Sequence, residues 1–446
     1  MNPIVFEYYK NDILFKHKRS ISAALGLVGA ILLFVLSNKS RAASLLMKSY
    51  RIYNRKSILN LLAKKDLLRD DILLPQFSNA TDIEGAAGRT IIIKYPVIKG
   101  DDIESKGILI ITFTNTFGFY LREVNIELLS KYFHIVLEPS WSGYLDADIV
   151  GWANKTSDNI YVQATELQDR VLLNELRTNL KAVSFGASDW VDFQLFSPEN
   201  TEKYYDSVYV ANTNPIKRIV RYLKAIKNIT QEIPDYRGCL VCAGWGNSSI
   251  DQIKELAAEL GIENNIDMMF SLRKEQLRTV LSKSKANVLL SFKEGSNRSM
   301  YESMFVDIPV ICLTENIGTN KSYINEYTGL LVSDGALENA LIDMRKTWWQ
   351  FSPRKWALDN ISPIQTTAKL IGAISNYDQV DVSDWKPKIK VNNPEANYFH
   401  HSKADCLILN ISLLTVFLSG EAKDSVSSKM KSLEYIFDAL FKVAPP

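Results

Sequence analysis

Two glutamates eight positions apart, Glu294 and Glu302, carry the most specific chemistry in the sequence. They stand in SFKEGSNRSMYESMFVDIPVICL (291–313), where an apolar run ending near Phe292 gives way to a polar turn and then a helical pattern. Gly295 lets the backbone turn tightly, and amides at the helix start can hold a sugar or a phosphate anion. Eight residues make about two helical turns, so both carboxylates can face the same cleft. Such a pair can hold vicinal hydroxyls, those of a ribose and of a sugar ring. A plainer reading also fits: an acid at a helix start complements the dipole, and a glutamate within a helix can be solvated.

Other residues offer weaker chemistry. AGWGNSS (243–249) sets Gly244-x-Gly246 between a strand and a helix, but Ser249 occupies the third glycine's place, so the dinucleotide fingerprint is partial. EPSWSGYLDAD (138–148) exposes Trp141, Ser142 and Tyr144 after a strand. An aromatic ring beside hydroxyls suits stacking on a sugar face; a packed loop tryptophan would look the same. His134 begins a strand and reads as a core position. Cys239 and Cys242 lie three apart in one apolar strand, so they point to opposite faces and do not share a zinc. The sequence holds no HExxH, no P-loop lysine, no GxSxG and no strong side-chain nucleophile.

Glu294-x7-Glu302, followed by FVDIPVICL and by YTGLLVSDGALENALIDM (327–344), resembles the donor-site signature of retaining GT-B glycosyltransferases of family 4, the glycosyl transferases group 1. The resemblance runs over roughly 106–375 and is strongest over 286–333. It implies two Rossmann-like domains facing a cleft, with a nucleotide sugar held mainly by the second. It further implies that Glu302 holds the ribose hydroxyls and that Glu294 contacts the donor sugar. Gly295 and the amides of Ser296, Asn297 and Arg298 would line sugar and phosphate, with Gly244 also on the donor side. The family presents an arginine and a lysine to the diphosphate after the first strand of its second domain. Here VYVANTNPIKR (208–218) keeps Lys217 and Arg218 but has Asn212 where the arginine belongs. Lys217 and Glu294 are therefore the expected catalytic residues, and Arg218 or Arg298 the source of the missing charge. In TNTFGFY (114–120), Gly118 stands where the family sets a glycine-containing loop against the donor phosphates. It joins Trp141 and Ser142 as the acceptor side. Asp146-x-Asp148 looks like the DxD of metal-dependent enzymes with the other glycosyltransferase fold. No metal and no cofactor is expected, the nucleotide sugar being a substrate.

These residues need an α/β frame. RTIIIKYP (89–96), GILIITFT (107–114), FHIVLEPS (133–140), NIYVQAT (159–165) and KAVSFGA (181–187) read as strands, with helices over 120–132 and 166–180. A second series begins at DSVYVAN (206–212), continues with GCLVCAG (238–244), IDMMFS (266–271) and ANVLLSF (286–292), and ends with PVICLT (309–314). Strand–helix alternation predicts parallel sheets covered on both faces. The polar stretch 188–205 reads as a linker, and a helical tail follows residue 363. The expected division is a helical segment over 1–70, an acceptor domain over 71–199, a donor domain over 200–375 and a tail over 376–446.

The 446 residues suit two or three domains, and 46% hydrophobic content fills real cores. Lys+Arg 52 against Asp+Glu 50 leaves +2, which gives no global field for nucleic acid. Four scattered cysteines do not make a disulfide scaffold and favour a reduced, cytosol-facing body. Ile21–Leu36, ISAALGLVGAILLFVL, carries no charge, and 37–56 is basic without one acid. Sixteen helical residues reach about 24 Å, short of the roughly 30 Å hydrocarbon core. A membrane anchor, a buried core helix and a signal peptide compete; the first is preferred. Over 42–69, apolar residues near helical spacing alternate with cations. That suits either a helix on an anionic membrane or one packed on the body with a solvated basic face.

The expectation is a membrane-associated glycosyltransferase of hexosyltransferase type. It moves a sugar, with retention, from a nucleotide-diphosphate sugar to a saccharide or lipid-linked acceptor. By analogy it works in surface polysaccharide synthesis at the cytoplasmic face of a bacterial inner membrane. A nucleotide-sugar epimerase of the same fold and a non-catalytic membrane-bound scaffold are the alternatives.

Overall fold

The computed structural model describes residues 3–17, 19–99, 102–243, 249–391 and 403–418. Helix α1 (Pro3–His17) opens the chain, followed by α2 (Arg19–Val35) and α3 (Lys39–Ile52). α2 and α3 form a hairpin. Ser37 turns the chain at φ +62°, and Asn38 caps α3 by accepting from the Arg41 amide at 3.2 Å. Small residues make the contact: Ala23 and Ala30 of α2 are buried, as are Ala42 and Ala43 of α3. A Cβ on Gly26 would meet the Ser49 hydroxyl, so glycine eases this close approach. Most large aliphatics of α2 point the other way: Ile21, Leu25, Val28, Ile31, Leu32 and Val35 are exposed, while Leu27 and Phe34 pack against the core. The apolar run is thus not a buried core helix. Among the described residues, no helix is long and apolar enough to cross a membrane.

The basic stretch resolves differently. α3 ends at Ile52 and a second helix starts at Lys56, with Leu46, Tyr50, Ile58 and Leu62 all buried in one core. Of the two readings of 42–69, packing on the body is the observed one. Arg51 pairs with Asp146, and Lys56 with Glu175 at 3.0 Å.

The chain divides into two compact units: Arg19–Ala187 with Thr367–Pro446, and Met1–Lys18 with Ser188–Thr366. In the first, β1 (Thr90–Lys94) is followed by a hairpin of β2 (Val97–Lys99) and β3 (Asp102–Ser105). Then come β4 (Gly107–Thr112), β5 (Phe133–Glu138), β6 (Ile160–Gln163) and β7 (Leu180–Val183). The sheet order is β1-β4-β5-β6-β7, with β1 antiparallel and the rest parallel. β5, FHIVLE, is buried at every position, as a central parallel strand should be. The helix expected over 120–132 is two helices, Thr114–Glu123 and Ile126–Tyr132, because Asn125 caps the second and breaks the first.

Of the expected tail, the described residues up to 391 and over 403–418 are bonded into the first unit. After the helix Pro363–Asp378, the backbone amide of Lys388 bonds Ile93 O at 2.7 Å, and the Lys390 ammonium lies 2.8 Å from Glu138. Asn410 donates to the carbonyls of Ala87 and Thr90. These bonds complete the first unit.

The second unit holds β8 (Ser207–Ala211), β9 (Gly238–Cys242), β10 (Ile266–Phe270), β11 (Asn287–Leu289), β12 (Val310–Leu313) and β13 (Gly329–Val332). All are parallel, in the order β10-β9-β8-β11-β12-β13. The order reverses between β8 and β11, which opens a crevice beyond their carboxyl ends. The stretch 188–205 is not a free linker. Asp189 accepts from Tyr301 and Tyr323, and Val191, Phe196 and Tyr205 enter a core cluster, so this unit starts at residue 188 rather than 200. Helices α4 (Ile219–Thr230) and α5 (Arg298–Phe305) follow β8 and β11.

Candidate active site

The two loops at the switch point build one site. After β8, Asn212 Oδ1 accepts from the Asn214 amide at 3.0 Å, and Asn214 Oδ1 from the Ile216 amide at 3.1 Å. Successive Asx turns and Pro215 thus fold the loop back on itself. Its carbonyl at Ile216 accepts from the Phe292 amide at 3.1 Å, tying it to the loop after β11. Asn212, at the place of the expected arginine, shapes this turn and is buried.

Lys217 and Glu294 meet here. The ammonium lies 2.7 Å from both carboxylate oxygens, and Ser291 and Asn297 donate to the same carboxylate. Tyr209 donates to the Lys217 carbonyl, and the Glu294 amide bonds Ile317 O at 2.7 Å. Backbone and side chain of both residues are therefore fixed, the pre-organisation a reacting site requires. Ser291 and Tyr209 were not singled out in the sequence; both sit on or just past buried strands and look like ordinary core positions.

Asn297 has two tasks. It donates to Glu294 at 3.2 Å and caps α5 by accepting from the Met300 amide at 3.0 Å. The Ser296 hydroxyl accepts from the Ser188 amide at 2.9 Å, and Gly295 lies between in the turn. Arg298, the first residue of α5, is exposed. Glu302, one turn further, is buried, and burial pushes its carboxyl up to about 7 against the lowering pull of Arg298 and Lys274. The reading of a solvated helix glutamate does not hold for it.

Arg218 differs from its expected part. It stands in the left-handed region at φ +58° and is 1% exposed. Its guanidinium pairs with Asp334 and, at 3.2 Å, with Asp12 of α1, and lies 4.4 Å above the Phe292 ring. This cation is paired inside the unit, and of the two arginines expected near the diphosphate only Arg298 is exposed. Gly244 lies outside the described residues.

The expected acceptor residues belong to the first unit. The loop after β5 is pinned by Asp169, which accepts from the amides of Gly143 and Tyr144 at 2.8 Å each. Ser142 and Tyr144 are buried, leaving Trp141 to line a cavity of about 600 Å³ with Asn38, Arg41, Arg51, Gln76 and Asp146. Phe113, at φ +70° and ψ +113°, packs edge-on to Trp141 with centroids 6.5 Å apart. A bulky residue in that conformation stores on the order of 1–3 kcal/mol of strain, a feature no sequence pattern signals. Gly118 is not in a loop. It lies within the helix Thr114–Glu123, where a Cβ would strike the Ser78 backbone.

The remaining motifs are structural. Asp146 caps a short helix and pairs with Arg51, while Asp148 accepts from the Ser78 amide at 2.8 Å. Cys239 and Cys242 enter different core clusters. His134 is buried against Asp378, with Nδ1 at 2.8 Å.

No curated protein matches the chain. Among solved structures it is similar to S. aureus TarM in complex with UDP, at 16% identity and a TM-score of 0.45, covering 55% of this chain and 51% of that one. A second structure of TarM gives 14%, 0.48, 59% and 54%. Anabaena HepE in complex with UDP-glucose gives 13%, 0.45, 61% and 79%. The chain spans about half the length of the TarM structures it matches. Residues 191–347, the span that carries Lys217, Glu294 and Glu302, match the family Glycosyl transferases group 1, the group that the donor-site signature resembles.

Proposed function

We propose that the protein is a GT-B glycosyltransferase of family 4. In this reading it transfers a sugar from a nucleotide-diphosphate donor to a saccharide or lipid-linked acceptor with retention of configuration. The observation that carries the reading is the Lys217 ammonium held on both oxygens of Glu294 at the switch point of an all-parallel sheet. Lys217 and the exposed Arg298 meet the charge that builds on the leaving diphosphate, together with the first amides of α5. Glu302 accepts the ribose hydroxyls and Glu294 those of the donor sugar. The acceptor saccharide stacks on Trp141 in the cavity of the first unit. The role is assembly of a surface polysaccharide at the cytoplasmic face of a membrane. Incubation with a panel of nucleotide sugars and glycolipid extracts tests this, with the anomeric configuration of the product read by NMR. Transfer with inversion would overturn the retaining assignment, and epimerised donor without transfer would overturn the activity.

A further inference from the structure

We propose that the outward face of α2 docks on an anionic lipid bilayer, lying in its interface. Ile21, Leu25, Val28, Ile31, Leu32 and Val35 are 51 to 74% exposed and follow one another at spacings of three or four, apart from the adjacent Ile31 and Leu32. That spacing puts all six on one side of the helix. Between Ile21 and Leu36 the only polar side chain is Ser22. A helix on a soluble body turns its large aliphatics inward and its small or charged residues outward. α2 does the reverse over most of its length, with Ala23, Gly26 and Ala30 on its inner side and these six branched side chains facing out, while Leu27 and Phe34 pack against the core. The small residues Ala23, Gly26 and Ala30 suit this orientation, because rotating α2 to bury its exposed aliphatics would push the two helices apart.

The chemistry beside the stripe selects the occupant. Lys39, Arg41 and Lys48 are exposed on α3, and no acid occurs from Ser37 to Lys56. Apolar residues flanked by cations fit an anionic leaflet, each cation adding attraction to the surface. A second copy of the chain is the competing occupant, but pairing two such stripes brings like charges on the two α3 helices together. Seventeen residues reach about 25 Å, too little for a straight span of the hydrocarbon core. The inference is independent of the donor site and needs no turnover to test.

Flotation of the full-length chain with vesicles is the experiment. Wild type should rise with phosphatidylglycerol–phosphatidylcholine vesicles and be released by alkaline carbonate. Leu25→Glu with Leu32→Glu, both at exposed positions, should cut the bound fraction about tenfold or more without changing the circular dichroism. Lys39→Gln with Lys48→Gln should weaken binding to the anionic vesicles and leave any binding to pure phosphatidylcholine unchanged. Failure of wild type to float would overturn the proposal. So would an unaffected double glutamate variant, or retention through carbonate, which would mean a spanning segment. A dimer that the glutamates convert to monomer, without flotation, would assign the stripe to a second copy.

Discussion

The Lys217 ammonium sits 2.7 Å from each oxygen of Glu294, although 77 residues separate them in the chain. The pair exists because β8 and β11 are neighbours at the point where strand order reverses, so their following loops meet. Both partners are largely buried, so each is held by the other. Lys217→Ala and Glu294→Gln should each lower transfer by at least about tenfold, a loss of 1.5–3 kcal/mol for a charged hydrogen bond. Rates at the wild-type level in both variants would remove the pair from the reaction.

Glu302 gives a pH signature. Its folded carboxyl titrates near 7 instead of 4.5, so the folded chain holds a proton that the unfolded chain releases. Stability attributable to this group is therefore present below about pH 4.5 and falls as pH rises to about 7, by on the order of 3 kcal/mol. Glu302→Gln should flatten that part of the profile in urea melts while weakening nucleotide binding. An unchanged slope would mean that Glu302 is ionised in the fold.

Arg218 and Arg298 should separate cleanly. Arg218→Ala takes a buried guanidinium away from Asp12 and from Asp334, which keeps Arg221, and should cost about 1.5–3 kcal/mol of stability. Arg298→Ala, at an exposed helix start, should leave stability nearly unchanged and reduce affinity for nucleoside diphosphate. Denaturant titration beside calorimetric binding checks both, and a reversed pattern would exchange their roles.

Trp141→Ala should raise the KM for the acceptor with little change for the donor, since stacking on a sugar face is lost. Equal changes for both substrates would place the ring elsewhere in the reaction.

Much of this was legible. The strands followed from their apolar runs, and β4, β5, β9 and β12 begin or end within a residue or two of them. The Glu294–Glu302 segment was readable because a buried strand, a glycine turn and a helix start succeed one another locally. Arg218 was not, because its partner Asp12 lies 206 residues away in α1, and only tertiary packing buries it. Gly118 misled for a related reason: a glycine after a strand signals a loop, whereas here it admits the Ser78 backbone against a helix. The stretch 188–205 looked like a linker since its polar residues hide one buried carboxylate, Asp189, that two tyrosine hydroxyls satisfy.

The central claim is that the switch-point crevice binds a nucleotide-diphosphate sugar through Lys217. Native mass spectrometry of the full-length chain with a panel of nucleoside diphosphate sugars and the matching nucleosides tests it most directly. The account predicts a one-to-one complex with at least one nucleotide sugar, weakened by Lys217→Ala far more than any nucleoside complex. No complex with any member of the panel, or equal weakening of nucleotide and nucleoside, would contradict it.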